Sequence, residues 1–250
     1  MVLPATGIRS RSAPSGVADD LTQPLWHPSP NFGPRRDGAV PNMVVLHYTA
    51  MPSTRAALDW LCNDSAEVSA HYLIGRKGQV WQMVREEDRA WHAGAGAWGA
   101  VSDVNSHSIG IEISNDGVEP FSGLQMTAVE TLLAAILRRW AIDPARVVAH
   151  SDTALGRKID PGPRFDWRRL AMRGLSIWPQ SVAQAIPDER FYLDARRFGY
   201  VWAEGQEEQV LNAFRLRFRP WGHGPICAED QQAMAALAHR HPVDAAVVMV

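Results

Sequence analysis

The sequence predicts an α/β fold, a mixed β-sheet flanked by helices, with a small three-helix unit at the C-terminal end. Three observations carry this. Short apolar runs of strand length close at Leu46, Ile113 and Ala149. A long amphipathic helical stretch separates the last two of them. Beyond Leu170 the pattern turns helical throughout.

Residues 1–40 are rich in Pro, Gly, Ser and Asp, with Trp26 and Phe32 as isolated apolar anchors, and read as an arm laid over a domain. Met43-Val-Val-Leu46 is a continuous apolar run bounded by Pro41, as in a buried strand, and His47 sits at its end. Behind Ser53, a candidate N-cap, the apolar residues Ala56, Ala57, Leu58, Trp60 and Leu61 predict a short helix reaching Cys62. His71 to Ile74, the turn Gly75-Arg-Lys-Gly78, and Gln79 to Val84 read as strand, tight turn, strand. From Ser108 to Ser114, Ile109, Ile111 and Ile113 fall on one face and Gly110, Glu112 and Ser114 on the other, so Glu112 points away from the apolar side. Leu124 to Trp140 carries Leu132, Leu133, Ile136, Leu137 and Trp140 on one helical stripe. Val147-Val-Ala149 then leads into His150 as another short strand.

Gly174, Pro179 and Pro187 mark a linker. Past it, 188–200, 207–218 and 231–239 each predict a helix, with Val210, Phe214 and Phe218 four apart in the second. A bundle of about 65 residues is near the lower limit for an independent core, so docking onto the first unit would stabilise it. The expected division is an arm over 1–40, a first domain over 41–173 and a helical unit over 178–250.

With 46% hydrophobic and 21% charged residues, the chain of 250 residues holds enough apolar surface for a sizeable core. A formal net charge of -2 provides no broad basic field, which argues against nucleic acid as a partner. Cys62 and Cys227 lie outside any C-x-x-C pair and read as free thiols. No segment approaches the roughly 20 apolar residues of a membrane span, so no membrane insertion is expected. Met1 to Gly16 has no apolar run of signal-peptide length, and the expected compartment is the cytoplasm, with the periplasm as the alternative if an export signal is missing from this sequence.

His47 and His150 each terminate a short buried strand, and neighbouring strand ends bring such residues within ligand distance. Asp160 follows ten residues after His150. Two imidazoles and a carboxylate leave a fourth tetrahedral position open, the pattern of a catalytic zinc site, whereas structural zinc is usually closed by four protein donors. Spacing alone does not separate this from histidines satisfied in a core. Near this set stand Glu112, on the strand face opposite three isoleucines, and Lys158, two residues before Asp160; their plain readings are an exposed strand carboxylate and a solubilising loop charge, and Tyr48 and Asn115 lie beside His47 and Glu112 in sequence. Asp152 reads as a partner that orients a ligand, His71 as structural, and Pro161 and Pro163 as stiffening the loop that presents Asp160.

The segments Val45-Leu-His47-Tyr-Thr, Ser69-Ala-His-Tyr-Leu-Ile74, Ala90-Trp-His92-Ala-Gly94, Ser108-Ile-Gly-Ile-Glu112-Ile, and Ala149-His150-Ser-Asp152 through Gly156-Arg-Lys158-Ile-Asp160-Pro-Gly162 resemble, in order and spacing, the type-2 zinc N-acetylmuramoyl-L-alanine amidases. The resemblance runs from about residue 26 to 170. It implies zinc ligands at His47, His150 and Asp160, and a substrate-cleft position for His92, for which a structural hydrogen bond is the other reading. It also implies catalytic roles for Glu112 and Lys158, and the chemistry agrees: hydrolysis of an inert amide needs an activated water, stabilisation of the oxyanion and a proton for the leaving nitrogen, which makes Glu112 the candidate proton carrier, Lys158 the candidate cation at the oxyanion, and Tyr48 and Asn115 candidate substrate contacts. The implied partners are peptidoglycan fragments or muropeptides, and the implied reaction is cleavage of the lactyl–L-Ala amide, with anhydro-muropeptides of wall recycling as substrates. The unit from Trp178 to His241 resembles, through Leu193, Phe198-Gly-Tyr200, Phe214 to Arg219 and the stretch after Ala235, the three-helix peptidoglycan-binding domain found beside some amidases; a helical appendage that only buries apolar surface is the alternative. Two other functions stand beside the amidase: a non-catalytic peptidoglycan recognition module, and a zinc peptidase acting within the stem peptide.

Overall fold

Parallel pairing around one central strand organises the structure, a computed structural model that describes residues 23–180 and 190–243. The arm before Gln23, the linker residue Pro187 and the predicted helix start at Asp188 lie outside the described residues. In chain order the elements are β1 (Leu25–Trp26), β2 (Phe32–Pro34), β3 (Met43–Tyr48), α1 (Thr54–Leu61), β4 (Tyr72–Ile74), β5 (Val80–Gln82), β6 (Asp88–Ala90), α2 (Val104–His107), β7 (Ser108–Ile113), α3 (Gly123–Trp140), β8 (Val147–Ala149), α4 (His150–Thr153), α5 (Trp167–Met172), α6 (Arg190–Phe198), α7 (Glu207–Phe218) and α8 (Ala228–Arg240). Six strands form a mixed sheet in the order β1-β5-β4-β7-β3-β8, and β2 pairs antiparallel with β6. Only the β4–β5 hairpin is antiparallel within the large sheet.

The alternation of side chains sorts the core into two faces. Val44, Leu46, Ile109, Ile111 and Ile113 pack with Leu133, Ile136 and Leu137 of α3 and with Leu170 of α5. On the other face, Met43, Val45 and Val148 join one apolar cluster with Trp98 and with Phe191, Phe198, Phe214 and Phe218 of the C-terminal helices. The last three helices therefore share a core with the sheet. Leu73 and Met83 are covered by Ala57, Leu58 and Leu61 of α1. Ser53 caps α1 by accepting from the Ala56 N–H, and Ser122 with Gln125 forms a reciprocal capping box at the start of α3.

Some expectations require correction. The arm is held by polar groups: Trp26 and Phe32 are 52% and 46% exposed, whereas Ser29 and Asn31 are buried. Ser29 Oγ donates to the Leu61 carbonyl (2.6 Å), and Asn31 Nδ2 donates to the carbonyls of Asn63 and Val68 (2.7 and 2.9 Å). Arg35 reaches the carbonyls of Glu86, Ser106 and Ser108, a set of bonds that stitches the arm to two loops. The arm also supplies β1 and β2, too short to show any periodicity in sequence. α8 runs beyond the predicted 231–239 at both ends. Leu193, part of the apolar resemblance in the helical unit, is 70% exposed.

Asp152 joins the two units. Its Oδ2 accepts from the Ala149 N–H (2.9 Å) and from Arg217 Nη1 (2.7 Å), and its Oδ1 accepts from the Tyr200 hydroxyl (2.8 Å). Arg217 Nη2 also donates to the Val147 carbonyl (2.7 Å). Both partners of the ion pair are fully buried, so removing one strands an uncompensated charge. Arg217→Ala should lower unfolding stability by about 3–5 kcal/mol, read by denaturant titration; a loss within the range of a surface pair, about 0–1 kcal/mol, would contradict this account.

Candidate metal centre and active site

Register places the site. His47 of β3 lies beside Glu112 of β7 on one sheet face, and β8 continues in register with β3 (Leu46 beside Ala149), so His150 emerges beside His47. The chain after α4 loops back until the Asp160 carbonyl accepts from the Ser151 N–H (3.0 Å). His47 Nδ1 is 3.0 Å from His150 Nδ1 and 2.9 Å from Asp160 Oδ2, and His150 Nδ1 is 3.0 Å from the same oxygen. All three residues are buried. Among the described residues this is the group of His, Cys, Asp and Glu side chains positioned to hold a metal ion. Its donor chemistry, two imidazole nitrogens and one carboxylate oxygen, is that of a zinc site with an open position.

The electrostatics are uneven. Burial, followed by the neighbouring His150, pushes His47 down to about 4 against the pull of Asp160. Burial works to raise Asp160, but its contacts with His150 and His47 outweigh it and hold the carboxyl well below the usual range. Glu112 goes the other way: burial raises it well above the ordinary carboxylate range, the Asp160 charge adds to this, and Lys158 opposes it. Glu112 Oε2 is buried and has no hydrogen-bond partner. Lys158 is exposed on the loop leading to Asp160; its backbone N–H donates to the Ala154 carbonyl (3.1 Å), and its ammonium makes no hydrogen bond or ion pair with a described residue.

His150 Nε2 lies 2.9 Å from the Ala93 carbonyl, which also accepts from Arg157 Nη2 (2.8 Å). The orienting partner of His150 is thus a backbone oxygen, and Asp152, expected in that role, instead caps the turn that begins at His150 and pairs with the C-terminal unit. His92 Nδ1 is 3.0 Å from His47 Nε2 and its Nε2 is 3.2 Å from Ser108 Oγ, so the ring faces a candidate ligand and both nitrogens are engaged by the protein. Burial, then the imidazoles of His47, His71 and His150 and the Arg35 guanidinium, hold it well below its ordinary value. Asn115 is buried, accepts from the Gly117 N–H (2.7 Å) and donates to the Glu119 carbonyl (3.1 Å), which closes a turn. Tyr48 is half-buried between the loops of Gly117 and Gly162 with its ring at the site edge. His71 is structural: its Nδ1 accepts from the Gly110 N–H (2.9 Å) and its Nε2 donates to the Asp88 carbonyl (3.1 Å). Sequence reasoning missed Arg157, Ser108 and the Ala93 carbonyl; a backbone oxygen leaves no residue signature, and the other two act through groups distant in sequence.

No helix among the described residues is long and apolar enough to cross a membrane. A family model described as N-acetylmuramoyl-L-alanine amidase matches residues 37–163. N-acetylmuramoyl-L-alanine amidase AmiD of Escherichia coli (strain K12) is 34% identical over 241 residues, which span 81% of this chain and 84% of that protein. 1,6-Anhydro-N-acetylmuramyl-L-alanine amidase AmpD of Haemophilus influenzae is 33% identical over 159 residues, 56% of this chain and 86% of its own. Among solved structures, the complex of AmiD from E. coli with the substrate anhydro-N-acetylmuramic acid-L-Ala-D-gamma-Glu-L-Lys superposes with a TM-score of 0.72 at 32% identity, covering 81% of this chain and 91% of that one. AmpDh3 from Pseudomonas aeruginosa in complex with anhydromuramic pentapeptide gives a TM-score of 0.74 at 29% identity, covering 87% and 96%. With half of its length matched by the family model and a relative of this identity spanning most of it, the chain belongs to the N-acetylmuramoyl-L-alanine amidase family.

Proposed function

We propose that this amidase holds zinc on His47, His150 and Asp160 and cleaves the amide between the lactyl group of N-acetylmuramic acid and the L-alanine of the stem peptide, with 1,6-anhydro-muropeptides as substrates. The observation that carries the reading is the mutual approach of three buried donor atoms within 3.0 Å. The bound ligands named for the AmiD and AmpDh3 structures support the anhydro substrate. In this reading residues 41–173 carry the chemistry, while the described part of the arm, residues 23–40, and the helices after 178 hold it in shape.

When bound, the divalent ion supplies Lewis-acid polarisation of the scissile carbonyl and acidifies water. Glu112 takes a proton from the attacking water and passes it to the departing alanine nitrogen, so that a C–O bond forms, the C–N bond breaks and no net proton stays on the enzyme. Its unpartnered Oε2 is free to accept that proton, and a carboxyl raised by burial holds it long enough to deliver it. Lys158, whose ammonium has no hydrogen bond or ion pair with a described residue, brings that charge to the negative charge that develops on the carbonyl oxygen. Tyr48 lines the approach to the reacting amide.

Glu112→Gln should lower kcat by about 10²–10⁴-fold while zinc content of the dialysed protein stays at the wild-type level; near-normal turnover would remove Glu112 from the reaction. Lys158→Met should lower kcat by about 10²–10³-fold with a smaller change in KM, whereas a loss confined to KM would assign it to binding alone. Treatment with a chelator should abolish activity and added zinc restore it. Mass spectrometry of the products from a defined anhydro-muropeptide should then show free, intact stem peptide, and a shortened muropeptide in its place would make the enzyme a peptidase.

A further inference from the structure

We propose that His92 is a positioning residue that decides which nitrogen of His47 carries the proton, leaving the Nδ1 lone pair for the metal; this rests on the reading of His47 as a ligand. The hydrogen-bond order runs inward from the backbone. Ser108 Oγ has one hydrogen and donates it to the Val104 carbonyl at 2.5 Å, so toward His92 Nε2 at 3.2 Å it can only accept. His92 Nε2 therefore carries the hydrogen, and in the neutral ring Nδ1 is a bare acceptor. His47 Nε2, 3.0 Å away, must donate to it, which strips His47 Nδ1 of its hydrogen and turns that lone pair toward His150 Nδ1 and Asp160 Oδ2. His150 reaches the same state by a shorter route, because its Nε2 faces the Ala93 carbonyl, which only accepts. Three lone pairs then meet with no hydrogen between them, an arrangement that a cation stabilises and its loss does not.

Two features hold the relay in place. Gly110 lies under the His92 ring, and a Cβ there would overlap the ring atoms, so the strand gives up a side chain to let the imidazole reach both partners. Asn105 Oδ1 accepts from the N–H groups of His92 and Ala93 (3.1 and 2.8 Å), which fixes together the backbone that carries the His92 ring and the carbonyl that orients His150.

The test compares zinc affinity, by competition with a chelator, in the full-length wild type, His92→Ala, His92→Asn and Ser108→Ala. His92→Ala should bind zinc about 10–100-fold more weakly. His92→Asn places Oδ1 near the position of Nδ1, accepts from His47 Nε2, and should recover most of that affinity, a rescue that a merely structural role does not predict. Ser108→Ala removes the acceptor for His92 Nε2 together with the bond to the Val104 carbonyl, leaves the imidazole in place, and should give a smaller loss in the same direction; it decides the matter if His92→Ala fails to fold. Long-range ¹H–¹⁵N spectra of the zinc-loaded wild type should show His47 protonated at Nε2. Unchanged affinity in the folded variants, an Asn variant no better than Ala, or His47 protonated at Nδ1 would each overturn the inference while leaving the metal site standing. A wild type that binds no zinc would overturn both.

Discussion

The parallel register of β3 against β7 and β8 is the constraint on which the rest depends. Side chains alternate along a strand, so a slip of one residue in β3 would send His47 to the α3 face and bring Leu46 into its place. The apolar pattern makes that slip costly. Val44 and Leu46 are fully buried on the helix side beside Ile109 and Ile111, and moving them would expose or misplace several such side chains at about 1.5–3 kcal/mol each. The same hydrophobic burial that drives the sheet together therefore sets the positions of His47, of Glu112 beside it and, through β8, of His150.

Buried charge is the second constraint, and the fold handles it by pairing across units. Asp152 has no access to solvent, yet both oxygens are satisfied: by the Ala149 N–H at the start of the turn carrying His150, by Tyr200 after α6, and by Arg217 on α7. A desolvated pair of this kind adds little net stability relative to apolar residues of similar size, but it tolerates few alternative geometries. Arg217 also lies 4.5 Å from the centre of the Trp167 ring, so the guanidinium is boxed in on its face as well as its edge. The helical unit is thereby locked to the turn that carries His150 in one orientation.

How much of this was legible in the sequence depended on whether a feature was written in neighbouring residues. The strand ending at His47, the alternation that turns Glu112 away from three isoleucines, the α3 stripe and the α7 stripe are all periodic, and the structure has them where periodicity put them. The convergence of His47, His150 and Asp160 followed from strand ends plus one loop. What escaped is non-local or carried by backbone. Asp152 looked like a ligand's partner because it is two residues from His150, but its partners lie 48 and 65 residues away. Asn115 borders the polar face of β7, yet its amide closes a turn. Ser29, Asn31 and Arg35 anchor the arm through carbonyl groups, and hydrophobicity, which drew attention to Trp26 and Phe32, is blind to that.

The two carboxyl groups of the site show how one environment can support opposite chemistry. Asp160 and Glu112 are both removed from water, which by itself would raise both. Asp160 escapes because two imidazoles approach one of its oxygens at 2.9 and 3.0 Å, favouring the ionised form. Glu112 has no such contact; the negative charge of Asp160 makes its ionisation harder still, and the positive charge of Lys158 makes it easier. An ionised group is what a metal ligand must be, and a group able to hold and release a proton is what amide cleavage requires of its general base. That separation arises from which side chains stand next to each carboxylate, so a single burial event produces both.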